Sequence, residues 1–254
     1  MNNVILSSGI TFVLEKILPF REKGARFLNP LIKIESTELI PNKLKKKISA
    51  KMKNVISGIS DVESSSGLRF PHYYVEPVLT VTVSQNNIDG MGVLYARTIP
   101  VEKLGKVEIV IQLTAPLLLF ATKTTMRLIL AHEFLHYLEL IRMFTKGYIT
   151  SQIVSDSIYE ELFTDTARTL EPQKVFKTKK LVRDLHKKLS SGLCDDKLNE
   201  KCRVNWIEKG FPLARIPMSR NQIHVSMGAV LNSTFDPLVV SFLRGLDRTQ
   251  ISRN

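Results

Sequence analysis

The stretch that decides the fold is LILAHEFLH at residues 128–136, which contains the pattern H-E-x-x-H in His132, Glu133 and His136. Its apolar residues recur with the spacing of a buried helix. At 3.6 residues per turn, the two histidines lie one turn apart on the same face, so both imidazoles can reach one metal ion. Glu133 is rotated to one side of that ion. The stretch therefore predicts a metal-binding helix.

The residues before this helix predict a small sheet. Alternating apolar and polar positions, separated by turn residues, predict strands at 78–83, 91–98 and 106–113. These three strands can form one largely antiparallel sheet. A short apolar helix then spans 115–120, with Pro116 in its first turn, and Thr122 or Thr124 is suited to cap the long helix, which runs to about Phe144.

Further helical segments flank this region. Spacings of three and four predict helices ending at Pro19, from Asn42 to Ile59 and from Ile153 to Leu170, and Asp236-Pro237 opens a last helix. Ser64-Ser65-Ser66-Gly67 is interpreted as a loop and a boundary. The fold class is therefore α+β, with a small mixed sheet packed on the long helix. The chain divides into a basic helical N-terminal region at 1–68, a core at 69–171 and a mostly helical basic C-terminal region at 172–254.

A catalytic zinc ion typically takes three protein ligands, so the two histidines need a third donor. Glu160 and Glu161 are the candidates, because the next predicted helix would return beside the first. Asp165 lies one turn after Glu161, where it could accept the second N–H of His132 and fix that ring. Glu160 has Thr164 at the equivalent position, so Glu161 is preferred as the metal ligand.

These residues resemble a known signature. AHEFLH at 131–136, followed by ELFTD at 161–165, resembles the H-E-x-x-H plus E-x-x-x-D pattern of gluzincin metallopeptidases, especially the HtpX-like and minigluzincin branch. The resemblance covers residues 106–170 and implies a zincin-like core. This sequence departs from the pattern in two ways. HtpX-like members carry transmembrane helices, and we expect none here. Phe134-Leu135 also stands where that family often has small residues. The metzincin pattern does not fit, because Arg142 stands where a third histidine would be needed.

The resemblance implies a peptidase with one zinc ion per chain. Zinc would activate a water molecule for attack on a peptide carbonyl, with Glu133 as general base. A peptide or protein substrate would add as a strand to an edge strand within 91–113. Four residues are candidates for stabilising the oxyanion, and the sequence does not choose among them: Tyr137, Tyr159, Arg220 and His224. His72 and His186 are interpreted as solvated histidines.

The charge balance suggests a second class of function. Thirty-six Lys and Arg against 24 Asp and Glu give a net charge of +12. The cations cluster at Lys43–Lys53 and at Lys174–Lys188, which is typical of a solvated face but also suits nucleic acid or an acidic protein. The alternative is therefore a nucleic-acid-associated or protein-binding basic module on a zincin fold, with a silent or occluded site.

Hydrophobic residues make up 44% of the chain and charged residues 24%, which is typical of a folded domain. The most apolar stretch, 107–121, is interrupted by Glu108, Gln112 and Pro116 and is too short to span a membrane. We expect a cytoplasmic protein, because the first residues do not have the pattern of a signal peptide. Cys194 and Cys202 are accordingly expected to be reduced thiols rather than a local disulfide.

Overall fold

The computed structural model describes residues 2–5, 11–14, 40–84, 87–145, 169–189, 195–217 and 226–251. It contains both helices and small sheets, which confirms the α+β class. The strands are β1 (Asn2–Ile5), β2 (Thr11–Leu14), β3 (Tyr73–Glu76), β4 (Leu79–Ser84), β5 (Asn87–Leu94), β6 (Ala96–Lys103), β7 (Lys106–Thr114) and β8 (Leu213–Pro217). The helices are α1 (Asn42–Ser66), α2 (Ala115–Phe120), α3 (Lys123–Thr145), α4 (Pro172–Val175), α5 (Lys179–Lys188), α6 (Asp196–Cys202), α7 (Met227–Leu231) and α8 (Pro237–Ile251), with a π-helical turn at Arg203–Ile207.

The strands after α1 form two three-stranded sheets, in the orders β3-β7-β6 and β5-β4-β8. Both sheets are mixed, as the fold class predicted, but the prediction that the three strands form a single, largely antiparallel sheet is wrong. β3 pairs in parallel with β7, and β4 pairs in parallel with β8, which comes from the C-terminal region. Sequence periodicity indicates where strands lie but not which distant strand each one pairs with. The strand β3 was not predicted, because it has only four residues and ends directly before Pro77. The predicted strand 91–98 is divided between β5 and β6.

The β6–β7 hairpin positions the edge of the first sheet. Its antiparallel register runs from Ala96 opposite Leu113 to Lys103 opposite Lys106. The connecting residues Leu104 and Gly105 both have positive φ, 52° and 68°. Two positive φ values are what a two-residue turn needs to match the twist of its strands. Within the described strands, β6 is one of the two outer strands of this sheet, opposite β3, and β1 contacts it.

The helix α1 is longer than the sequence predicted. It continues through Ser64–Ser66 and ends at Gly67, whose φ of 75° closes the helix by an N–H bond to the Glu63 carbonyl. The loop interpretation of the serine run is therefore wrong. Ser65 is buried, and its hydroxyl and carbonyl oxygens accept hydrogen bonds from the backbone N–H groups of Thr178 and Lys177. A tertiary contact thus stabilises residues that favour loops on their own.

The long helix α3 begins where the sequence placed it. The Thr122 hydroxyl accepts a hydrogen bond from the Thr125 N–H at 3.0 Å, as an N-cap residue does. α1 crosses α3 closely at Gly58, where an added Cβ would lie 2.7 Å from Leu130 Cδ1. Both helices contribute to one hydrophobic core with the first sheet, through Ile48, Val55, Ile59, Val62, Leu128, Leu130, Phe134, Ile109 and Ile111.

The chain termini give mixed results. The prediction of a helix that ends at Pro19 is wrong for the residues that the structure describes, because β1 and β2 form an antiparallel hairpin. Short apolar segments are ambiguous between the two periods, and these are rich in β-branched residues. The last helix does begin at Pro237, and Asp236 Oδ1 accepts from the Leu238 N–H at 2.8 Å. No helix in the described ranges has the length and apolar character needed to cross a bilayer.

Candidate metal centre and catalytic carboxylate

The two histidines of α3 converge on one point. Their Nε2 atoms lie 3.1 Å apart, with ring centroids 4.6 Å apart and ring planes at 88°. Both side chains are partly exposed at the surface of α3, while the residues on the other side of the helix are buried. The helix therefore presents two imidazole nitrogens, close together, at the solvent-facing edge of the core.

This geometry fits a zinc ion. Two nitrogens bound to zinc at about 2.0–2.1 Å in tetrahedral geometry lie about 3.3 Å apart. Burial lowers the pKa of His132 to about 4, and burial together with the charge of His132 lowers the pKa of His136 to about 3. Both rings are therefore neutral near pH 7. Neutral imidazole is the form that binds a metal ion.

Glu133 directly follows His132 on α3 and is only 6% exposed. Its Oε2 atom accepts a hydrogen bond from Thr98 Oγ1 at 2.8 Å, and the same hydroxyl lies 3.0 Å from the Glu133 carbonyl oxygen. Burial raises the pKa of Glu133 to about 7, although the hydrogen bond from Thr98 acts to lower it. A carboxylate with a pKa near 7 is suited to take up and release a proton at neutral pH.

Thr98 brings the outer strand β6 into the site. Its side chain is 8% exposed and contacts α3 from the sheet. The sequence predicts an edge strand within 91–113 but does not distinguish this residue. The register of β6 decides which residues face α3, and nothing in the local pattern distinguishes Thr98 from its neighbours. Identifying it from sequence would need the strand register.

The residues inside the motif have a structural role. Phe134 and Leu135 lie between the two histidines, and both are buried in the core. The Phe134 ring stacks on Phe70 at 5.7 Å and on Tyr137 at 5.8 Å. It also contacts Phe176 at 6.4 Å. These aromatic contacts fix the orientation of α3, and they explain why large side chains are accommodated between the two histidines.

Tyr137 is the one oxyanion candidate within the described residues. It follows His136 directly and is 9% exposed. Burial, and then the charge of Asp236, raises the pKa of Tyr137 above its usual range. The phenol therefore stays protonated at neutral pH and can donate a hydrogen bond. Tyr159, Arg220 and His224 lie outside the described residues.

The carboxylates predicted to complete the centre also lie outside the described residues: Glu160, Glu161 and Asp165. Most of the helix predicted from Ile153 to Leu170 falls in the same range. Within the part of the chain that the structure describes, no third His, Cys, Asp or Glu joins His132 and His136 in a ligand group. The third ligand stays a prediction from the sequence.

Two other predicted residues have defined environments. His72 is not simply solvated, because its Nδ1 atom contacts Glu108 Oε1, and the side chain is 25% exposed. Cys202 is a free, buried thiol, and burial raises its pKa to about 11. Cys194 lies outside the described residues. His186 is exposed, as expected, and its Nε2 atom lies 3.1 Å from Gln173 Oε1.

Comparison with protein-family models, curated protein sequences and solved structures gives no significant match to this chain.

Proposed function

We propose that this chain is a zinc-dependent peptidase with a zincin-like core, in which Glu133 is the general base. The observation that carries this proposal is the convergence of the His132 and His136 Nε2 atoms, 3.1 Å apart, on a helix that also carries the buried carboxylate of Glu133. Two neutral imidazoles and an adjacent carboxylate are the side chains that metal-assisted hydrolysis requires. The sequence signature that includes Glu161 and Asp165 supports the same assignment.

Each residue of the site has a separate role in the proposed reaction. His132 and His136 would hold the zinc ion through Nε2, with Glu161 as third ligand and Asp165 orienting the His132 ring. Bound zinc supplies Lewis acidity, which makes a water molecule a better nucleophile and polarises a carbonyl group. Glu133 Oε2 accepts the hydrogen bond from Thr98, so Oε1 is the atom that would take the proton from water and later give it to the leaving amine.

The outer strand β6 would receive the substrate. Its position at the edge of the sheet, in contact with α3 through Thr98, allows a peptide to add as a further strand next to Glu133. Main-chain hydrogen bonds of this kind give affinity with little dependence on side chains. The contact of β1 with β6 places the N-terminal hairpin where it can compete with such a peptide.

The test combines metal analysis with one substitution. We expect near one zinc ion per purified chain. Glu133→Gln should retain zinc while losing cleavage of casein by a factor of about 10²–10⁴, the usual contribution of a general base. Glu139→Gln, on the same helix, is the matched control and should cleave normally. Full activity of the Glu133→Gln variant would overturn the proposal.

The exposed lysines of α1 favour a second candidate, binding of nucleic acid or an acidic protein. Lys43, Lys46, Lys47, Lys51 and Lys53 are all exposed on this helix, and α5 adds Lys179, Lys180 and Lys187. Clustered cations are enough for binding to phosphates without sequence preference. A gel shift with duplex DNA at rising salt tests this candidate, and no binding even at low salt would remove it.

A further inference from the structure

Two cavities adjoin each other beyond the candidate centre. The first has a volume of about 500 Å³ and lies between the β6–β7 turn, α3 and the residues before α8. The second has a volume of about 530 Å³ and lies along α8. Phe235 lines both, so the cavities meet at this partly exposed ring.

Cations predominate around the joined cavities. Arg69, Lys103 and Lys106 line the first, and Arg244 and Arg248 line the second. Because Arg244 and Arg248 are four residues apart on α8, both guanidinium groups lie on one face. All of these except Lys103 are exposed. The groove therefore offers several positive charges to a ligand from solvent.

The carboxylates of the groove are already engaged. Glu108 accepts a hydrogen bond from Lys103 Nζ at 2.8 Å and contacts His72. Asp236 accepts from the Leu238 N–H at the start of α8. The five cations outnumber these two carboxylates, so the net charge of the lining is positive.

An apolar side chain stands at the mouth of the first cavity. Leu104 lines it, is 83% exposed and has a φ of 52°. An exposed leucine in this conformation gains nothing from the core. Leu104 therefore offers an apolar contact at the rim of the first cavity.

The groove is continuous with the candidate centre. Tyr137, which lines the first cavity, lies one helical turn after Glu133, or about 6 Å along α3. Lys103 lies five residues after Thr98, or about 17 Å along β6. Both elements therefore lead from Glu133 to the cavity. A peptide paired with β6 next to Glu133 would continue into it.

We propose that this cation-lined groove binds an acidic segment of the peptide substrate, several residues from the bond that is cleaved. The inference rests on the proposed function, since it extends the substrate path of the same site. Spaced Asp or Glu side chains would meet Lys106, Arg244 and Arg248, while apolar portions of the peptide contact Leu104 and Phe235. Charge complementarity of this kind selects among partners more than it adds affinity.

The mixed lining favours a peptide over a nucleic acid. A single strand of nucleic acid carries a phosphate at every residue, and Asp236 and Glu108 lie among the cations and would repel that regular charge. Carboxylates in a peptide can instead be spaced to fit the cations.

The experiment measures binding without cleavage, using the zinc-loaded Glu133→Gln chain. Four fluorescein-labelled 12-residue peptides are compared by anisotropy. Two of them carry three Glu residues, one at its N-terminal end and one at its C-terminal end. The other two carry Gln at the same positions. Binding is repeated with added Lys106→Gln and Arg244→Gln substitutions, separately and together. Lys51→Gln, on the exposed face of α1, is the control with the same change of charge.

We expect one of the Glu peptides to bind about five-fold or more tightly than its Gln counterpart at low salt, with a smaller difference at high salt. The Lys106→Gln and Arg244→Gln pair should remove most of this difference, whereas Lys51→Gln should preserve it. Equal binding of Glu and Gln peptides would overturn the inference. So would tighter binding of oligodeoxythymidylate that depends on the same two cations, because the groove would then suit a nucleic acid.

Cleavage of casein by the parent chain separates this inference from the proposed function. If casein is cleaved but the Glu peptides bind no more tightly than the Gln peptides, the peptidase proposal stands and the proposal of a groove for acidic segments is overturned. Binding of the Glu peptides through Lys106 and Arg244 without any cleavage retains the groove and overturns the peptidase.

Discussion

Thr98 Oγ1 lies 2.8 Å from Oε2 of Glu133, so a single hydroxyl on the outer strand of the sheet holds the buried carboxylate of the motif helix. The same hydroxyl is 3.0 Å from the Glu133 carbonyl oxygen and has one proton to donate. It can therefore serve only one of these oxygens at a time. This contact ties the orientation of Glu133 to the position of the strand beside which a substrate would bind.

We expect Thr98→Val, which keeps the shape of the side chain and removes the hydroxyl, to lower kcat about ten-fold with little change in KM. Thr98 acts as a positioning residue, so only the orientation of Glu133 is affected. Loss of the bond should also lower the free energy of unfolding by about 1–3 kcal/mol, because a buried polar group loses its partner. Steady-state kinetics and urea unfolding measure both effects. Thr98→Ser should restore activity, and a Ser variant as impaired as Val would contradict the role.

The third metal ligand can be tested by a matched pair of substitutions. We expect Glu161→Ala to lose bound zinc and Glu160→Ala to keep it, because only Glu161 has a carboxylate one turn later at Asp165. Zinc content after dialysis against a weak chelator measures the outcome. The thermal midpoint should also fall for Glu161→Ala in the presence of zinc, since a bound ion stabilises the folded chain. The reverse pattern would assign the ligand to Glu160.

Gly58→Ala should lower the free energy of unfolding by about 1–3 kcal/mol. The new Cβ would lie 2.7 Å from Leu130 Cδ1 and 3.4 Å from Arg127 Cα, and Leu130 is fully buried, so its side chain has little room to move. This cost exceeds the gain of about 0.5–1 kcal/mol from replacing a helical glycine. Gly245→Ala in α8 meets nothing within 4 Å and should show that gain alone. Urea unfolding of both variants provides the comparison, and a stabilised Gly58→Ala would contradict the close packing.

The stability of the chain should depend on pH through Glu108. Burial acts to raise the pKa of this carboxyl, but hydrogen bonds from His72 and Lys103 outweigh it and lower the pKa from 4.5 to about 2. The folded state therefore binds its proton less readily than the unfolded state, and the stabilisation is complete above pH 4.5 and lost as the pH falls to about 2.

We expect Glu108→Gln to lose about 1–2 kcal/mol of unfolding free energy at pH 7, an amount reduced because the side chain is 27% exposed. The difference from the parent should narrow between pH 4.5 and 3. Urea unfolding at pH 7, 5 and 3 tests it. A difference that stays constant over this range would show that the ionised carboxylate is not responsible.

The sequence was sufficient for the helix that carries the motif. A long apolar period, an N-cap threonine and two histidines at helical spacing are all local features, and the structure retains each of them in α3. The α+β class follows from equally local evidence.

The long-range arrangement was not predictable in this way. The pairing of β4 with β8 joins residues more than 130 positions apart, and no local pattern encodes it. Thr98 was missed for the same reason, because its role depends on strand register. The serine run at the end of α1 was misassigned because its contact with Thr178 outweighs its local preference for a loop.

The packing of α1 against α3 limits how the protein can be dissected. A fragment beginning at residue 69 would lack Ile48, Val55, Ile59 and Val62 and would leave Leu130 facing water, so we expect it to aggregate rather than fold. The lysine-bearing helix and the histidine-bearing helix are thus inseparable neighbours. A partner that binds the exposed lysines of α1 would therefore act, through a single layer of packed side chains, on the helix that carries His132 and His136.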